Sequence, residues 1–581
     1  MLGMDARVGC SVVAAGLLVG SSAMAQWPAM LSKAPADAQI IVAVDSMSEV
    51  NEHWKSFIDA IGLGGMPVGQ PSDMFVDAGF NMESIDLDGS FGIVVLKDRW
   101  ENDEPPMVAL IPVSDFDGFV ASMGGSADGD LFVGAIEGES IYAKNLDGHA
   151  VLSPSRDLVA NYTTGEDVQD HFEQRLGTLG EEVVQASDII IMVDPAGLDQ
   201  VILPAMRQQM TEMGAMAAGM GGANPADIEE MQAAAETFVT EMINQTDGLI
   251  FGVSMNGDGL AFHKSVQWKK DGSIAGFFTG DGDSIELLEH FPNKPYIFAF
   301  AADLDAADLM GLGDYLKTKM REINPDLAEK PDTATTQLYR QAEGAAGVLY
   351  PSPAGIMGGL FNQMVLLYAG DNDELREIMK QSITEMNGQE IEGASYTTSY
   401  ESEVEEVAGT TVDKYQVRMR FPPEMMQAQQ AVSMMFGPAG MRGYVAEFDG
   451  GVIQTLAMNK VLLGSMLEEA GGLSDGLAEN DMIESVNSLL PEEAIMRFYL
   501  GAEGIMSMAG PMLAMAIPGA NMDAFTGTPP IAGAVESENG ALHAVMVIPA
   551  PLIKTAVEFG MQAQMAADPD AGGADTDEPL F

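Results

Sequence analysis

The sequence predicts an α+β protein made of tandem duplicated units, each a mostly antiparallel sheet covered by helices on one face. Three observations lead there. Short apolar runs of strand type alternate with stripes of helical spacing. Strands end in hairpin signals as often as in helices, which argues against a doubly wound parallel sheet. One phrase is also written twice, as NLDGHAVLSPSRDLVANY from Asn145 to Tyr162 and EFDGGVIQTLAMNKVLLGSM from Glu447 to Met466. Each copy runs as an acidic-Gly turn, an apolar strand, a polar break carrying Arg156 or Lys460, and an apolar helical stripe.

In chain order, residues 1–25 read as a signal peptide. Arg7 supplies the positive start, Val12 to Val19 the apolar stretch, and Ala23-Met24-Ala25 the small-residue cleavage pattern. Cleavage near Ala25 predicts export to the periplasm or the extracellular space, with no transmembrane segment in what remains. Cys10, the single cysteine of the chain, leaves with that segment. Neither a disulfide nor a thiolate metal site is then expected.

Repeat unit A covers 37–180. It opens on the apolar run Ile40 to Val44, followed by Ser46 and Glu49 in capping-box spacing and by Val50, Trp54, Phe57, Ile58 and Ile61 at helical spacing. Met107 to Met123 continues with a strand that feeds Asp115-Phe116-Asp117, an N-cap signal. Unit B, 186–285, starts with Ile189 to Val193, enters a helix after Pro195 and closes in a hairpin turning at Asn256-Gly257-Asp258-Gly259.

Unit A′, 290–480, repeats the order, with a strand at Tyr296 to Phe300, Asp305 as N-cap, and Met364 to Met379 carrying Asp371-Asn372-Asp373. It holds an insertion near Pro422 to Gly443. Unit B′, 487–565, ends in a hairpin turning at Asn539-Gly540, with Gly533 and Gly540 at the same offsets as Gly252 and Gly259. Residues 566–581 are acidic, poor in core formers and expected to be disordered.

With 27 basic and 87 acidic side chains, the chain carries a formal charge of −60. Such a field repels nucleic acid and anionic headgroups, so nucleic acid is not an expected partner. The acids are dispersed, which fits a solvated surface. Asp115-Phe116-Asp117-Gly118, Asp128-Gly129-Asp130 and Asp281-Gly282-Asp283 lack the closing ligands of a calcium loop, so divalent cations are expected only adventitiously.

The six histidines, His53, His149, His171, His263, His290 and His543, show no paired zinc spacing and read as lone surface or capping residues. Gly282-Asp283-Ser284-Ile285 looks like the nucleophile block of a serine esterase family, but no Asp-x-x-His follows to supply a base. No catalytic residue, cofactor site or metal site is therefore assigned.

Methionine is abundant, at 43 residues. Met206, Met210, Met213, Met216 and Met220 form a helical stripe, the one candidate surface for an apolar ligand, with Cu(I) as a softer alternative. Usage along the whole chain favours a packing role.

Pro35-Ala36-Asp37-Ala38 before the first strand, and the phrase Asp147-Gly148 with Ser153-Pro154-Ser155, resemble those of secreted bacterial proteins of a domain-of-unknown-function type from planctomycete-like organisms. The resemblance implies an exported tandem α+β protein and brings no catalytic residues. The expected role is that of a non-enzymatic envelope protein, a binding or structural module with a cleft between repeats for an unknown protein or hydrophobic ligand. The alternative is a secreted hydrolase whose site has no linear signature.

Overall fold

Tight turns set the sheet. At Asp147-Gly148 (φ 46° and 85°) and Asn539-Gly540 (φ 51° and 77°) both central residues take positive φ. That backbone matches the twist of a two-residue hairpin and is cheap only for Gly, Asn and Asp. The computed structural model describes residues 27–567 apart from 98–105, 137, 166, 200–202, 205, 208–224, 324–333, 353–358, 392–393, 472–475 and 517–520. The expected signal segment, Met210, Met213, Met216 and Met220, and nearly all of the acidic tail lie outside the described residues.

The first half of the chain supplies β1 (Ala38–Val44), β2 (Phe91–Leu96), β3 (Met107–Pro112), β4 (Ser126–Asp128), β5 (Leu131–Ile136), β6 (Glu139–Leu146), β7 (His149–Ser153), β8 (Ile189–Val193), β9 (Thr246–Asn256) and β10 (Gly259–Trp268). The second supplies β11 (Phe298–Asp303), β12 (Gly344–Leu349), β13 (Met364–Ala369), β14 (Glu390–Ile391), β15 (Ala394–Val407), β16 (Thr410–Arg420), β17 (Met441–Phe448), β18 (Gly451–Thr455), β19 (Ala494–Leu500), β20 (Ile531–Glu538) and β21 (Ala541–Pro549).

All belong to one 21-stranded sheet. The pairings are antiparallel and place the first ten strands in the order 4-5-6-7-3-2-1-8-9-10. The others lie in the order 14-15-16-17-18-13-12-11-19-20-21. The two sets join through β10 and β21, paired from Gly259↔Pro549 to Gln267↔Ala541. Both outer strands, β4 and β14, are very short.

Helix α1 (Met47–Ala60) starts where Ser46 accepts a hydrogen bond from the Glu49 N–H at 3.2 Å. Asp115 and Asp371 likewise cap the helices Phe116–Ser122 and Asn372–Glu385. Asp305 does not serve as an N-cap. Its N–H donates to Asp303, and Asp308 accepts from Gly311 at 2.6 Å, because the chain makes one more turn before the helix Leu309–Ile323. The strand expected from Tyr296 is paired only from Phe298 onward.

Helices cover both faces of the sheet, which corrects the one-face expectation. In the first half, Ile41, Val94, Leu110 and Ile190 pack against Phe172, Leu176 and Val183 of α2 (Val168–Ala186). On the opposite face, Phe91 and Ile111 pack against Val50, Phe75 and Phe119. The second half repeats the situation, with Val348 and Leu367 under Leu463 and Met466, and Tyr368 and Val445 under Leu375 and Met379. The physical reason is visible in β12, GAAGVL, where all six residues are buried. Strands with two dry faces read as continuous apolar runs.

Two buried aspartates tie helices to the sheet. Asp194 binds Lys97, Arg175 (2.6 Å) and the Ala196 N–H (2.9 Å). Asp413, with a side chain 2% exposed, takes two hydrogen bonds from Arg376 (2.7 Å each), one from Tyr400 (2.6 Å) and one from the Glu403 N–H (2.7 Å). Burial alone would raise each carboxyl, but these donors hold both below the ordinary aspartate range. Arg376→Met would strand the Asp413 charge in the core and is expected to cost about 3–5 kcal/mol. A fall in the urea midpoint measures it, and an unchanged midpoint would show the clamp to be idle.

Candidate functional site

Chemistry gathers in three places near the centre of the sheet. The first is an apolar floor. Successive register partners Ile93, Val42, Ile191, Phe251, Lys264, Ala544, Val535 and Met496 form one row across eight strands. The next row reads Ile189, Val253, Phe262, Met546, Gly533, Phe498 and Phe300. A Cβ on Gly533 would meet the Phe498 ring at 2.2 Å, so glycine there lets the ring lie flat across the floor.

One end of the floor is walled by Met242, Leu309, Leu312 and Tyr315, which pack about Val266, Val535 and Leu542. The other is walled by α1 and the start of the helix Ala550–Ala567, around Leu260 and Met255. Between these walls the apolar side chains stay open: Ile93 is 43% exposed, and Phe262, Met496 and Met546 are each 38% exposed. Lys264 is the one charge in the two rows, its Nζ 5.7 Å from the Phe251 ring centroid.

The second place is a cleft of about 570 Å³ between α1 and the end of α2. Its wall carries Asp45, Glu49, His53, Ser187, Asp188 and Ser254. His53 Nδ1 lies 2.5 Å from Asp188 Oδ1, while Asp188 Oδ2 accepts from the Met255 N–H at 2.8 Å. Burial, with Glu49 adding like-charge repulsion, raises the Asp45 carboxyl. A carboxylate-oriented imidazole can act as a general base. Among the described residues no hydroxyl hydrogen-bonds to His53, so no nucleophile is seated on it.

The third place lies on the opposite face from the floor, at the β10–β21 seam. His543 is buried, with Nδ1 2.6 Å from Glu536 Oε1 and Nε2 3.3 Å from His263 Nδ1. The two rings lie nearly parallel. One oxygen each of Glu182 and Glu536 and a ring nitrogen of His543 lie within 4.8 Å of one another. Glu182 is exposed as a residue, but desolvation of its carboxyl against the sheet raises it, and Glu536 adds to the effect. Burial, with His543 beside it, brings His263 down to about 4.

Sequence reading treated the six histidines singly. The structure brings His263 and His543 together through strand pairing over 280 residues, and joins His53 to Asp188 over 135. The signal it could have used is the pair of long hairpins ending the two halves, whose outer strands were free to pair. Ser284 is fully buried and donates to the Ala494 carbonyl at 2.8 Å, so it cannot serve as a nucleophile. Of the methionine stripe, Met206 is helical and half-buried. The chain matches no family model, no curated protein and no solved structure.

Burial also lowers His149 and His290, one ring in each half. With His263, these rings refuse protons that the unfolded chain accepts below its value of 6.5. Their contribution is fully present above that value and is lost as pH falls through the lowered values, that of His263 lying at about 4. The urea midpoint should therefore drop across this window. The double variant His149→Gln/His290→Gln should flatten the drop while leaving the seam intact.

Proposed function

We propose that the chain is an exported, non-enzymatic binding protein of the cell envelope. Its apolar floor would take the hydrocarbon part of an amphiphile whose anionic head pairs with Lys264. The observation that carries this reading is the pair of register rows across the seam, apolar except for Lys264, which remain open at Phe262, Met496 and Met546. Contiguous exposed apolar surface of this kind marks an interaction site. A lone cation in its middle, on a chain of charge −60, gives an anionic head one place to go.

On this reading the two halves are related copies, units A and B over 37–285 and A′ and B′ over 290–565. Support comes from the matched strand order of 4-5-6-7-3-2-1-8-9-10 with 15-16-17-18-13-12-11-19-20-21. The pattern of residues 1–25 supports export, and the two short phrases given above support kinship with secreted proteins of the planctomycete type.

Fluorescence titration with 1-anilinonaphthalene-8-sulfonate, competed by a long-chain fatty acid, tests the site. Saturable binding is expected. Phe262→Asp should weaken it roughly 10–100-fold, in line with about 1.5–3 kcal/mol for a buried aromatic. Lys264→Met should weaken the fatty acid while sparing its neutral methyl ester. Saturable binding indifferent to both changes would reject the floor as the site.

Hydrolysis at the second place is the other reading, favoured by the His53–Asp188 pair within a cleft. Turnover of p-nitrophenyl esters that disappears in His53→Ala would promote it above binding.

A further inference from the structure

We propose that Glu182, Glu536 and His543 form a binding site for one divalent transition-metal ion of the zinc class, built across the β10–β21 seam. The inference goes beyond amphiphile binding and does not depend on it, since the site lies on the other face of the sheet.

The donor set is two carboxylates and one imidazole, already within 4.8 Å of one another. Zinc bonds to such atoms are about 2.0–2.2 Å long, so ligands around one ion stand a little over 3 Å apart. The Glu182 side chain, which is exposed on α2, has to close in, and the Glu536 carboxylate has to draw back slightly from its 2.6 Å contact with His543 Nδ1. His543 is fixed. Its ring is buried at 4% exposure, and Glu536 stands directly opposite it in the β20–β21 register.

The hydrogen bond between His543 Nδ1 and Glu536 is where the ion enters. With His543 protonated on both ring nitrogens and paired with the Glu536 carboxylate, the metal takes the place of the Nδ1 proton, which leaves to solvent, while the Nε2–H stays and donates to His263 Nδ1, 3.3 Å away. A second partner of this kind fixes the tautomer and ring direction of a ligating histidine.

A separate observation points to the same spot. Ser265 is the register partner of His543 on β10, and its side chain is 1% exposed. Its Oγ has no hydrogen-bond partner among the described residues. A buried hydroxyl without a partner is costly. Three protein ligands leave a fourth position on the metal, and water held there would satisfy that hydroxyl. Glu182 belongs to the first half, while Glu536 and His543 belong to the second, so the ion would cross-link the two in a region without disulfides.

The test is equilibrium dialysis of the whole protein against Zn²⁺ in millimolar Mg²⁺, which occupies dispersed oxygen-only sites, with metal content read by mass spectrometry. The expected result is one retained Zn²⁺ per chain and a raised melting temperature. Cobalt substitution should give the visible absorption of a four-coordinate nitrogen–oxygen site. Glu182→Gln alters an exposed helix residue and should fold normally while weakening retention at least tenfold. His543→Asn should abolish retention, and His263→Asn, a positioning change, should weaken it 10–100-fold. No retained zinc, or retention that Glu182→Gln leaves unchanged, would overturn the site.

Discussion

The pairing of β10 with β21 holds the architecture together. Nine register pairs from Gly259↔Pro549 to Gln267↔Ala541 make an array of ten strands and one of eleven into one sheet. Two of the three central places follow from that contact. It carries the apolar rows from one half into the other, and it sets His263 diagonally beside His543 on the opposite face. Sheets seldom grow past about ten strands before splitting or curling. Here growth continues because the last hairpin of each half offers a long open edge to the other.

Much of the fold was legible in the residues. Ser46, Asp115 and Asp371 announce helix starts by chemistry alone, since each side-chain oxygen accepts from the amide three places on. Asp147-Gly148 and Asn539-Gly540 announce hairpins because few other dipeptides tolerate two positive φ angles. The number of covered faces was not legible. A run such as Ile40 to Val44 is compatible with either arrangement until its neighbours are known.

The candidate sites were hidden for a related reason. Local propensity describes a residue and its next few neighbours, whereas His53 meets Asp188 and His263 meets His543 through contacts far apart in sequence. The apolar floor is likewise a property of rows that run across strands. Phe262 and Met546 look like ordinary strand residues in one dimension. They become a surface only when Val253, Phe262, Met546 and Gly533 are laid side by side.

The rims of the sheet carry a further meaning. An open sheet has two unpaired borders, and each could template another chain, as fibres do. Here one border ends in the three residues Ser126–Asp128 and the other in the two residues Glu390–Ile391. β14 covers only Ala394 and Ser395 of β15, and farther along that edge Glu401, Glu403, Glu405 and Glu406 put charge on the border, so the negative charge of the chain makes approach between copies costly. A protein whose halves are joined by strand pairing thus keeps that pairing from running on through short and acidic borders.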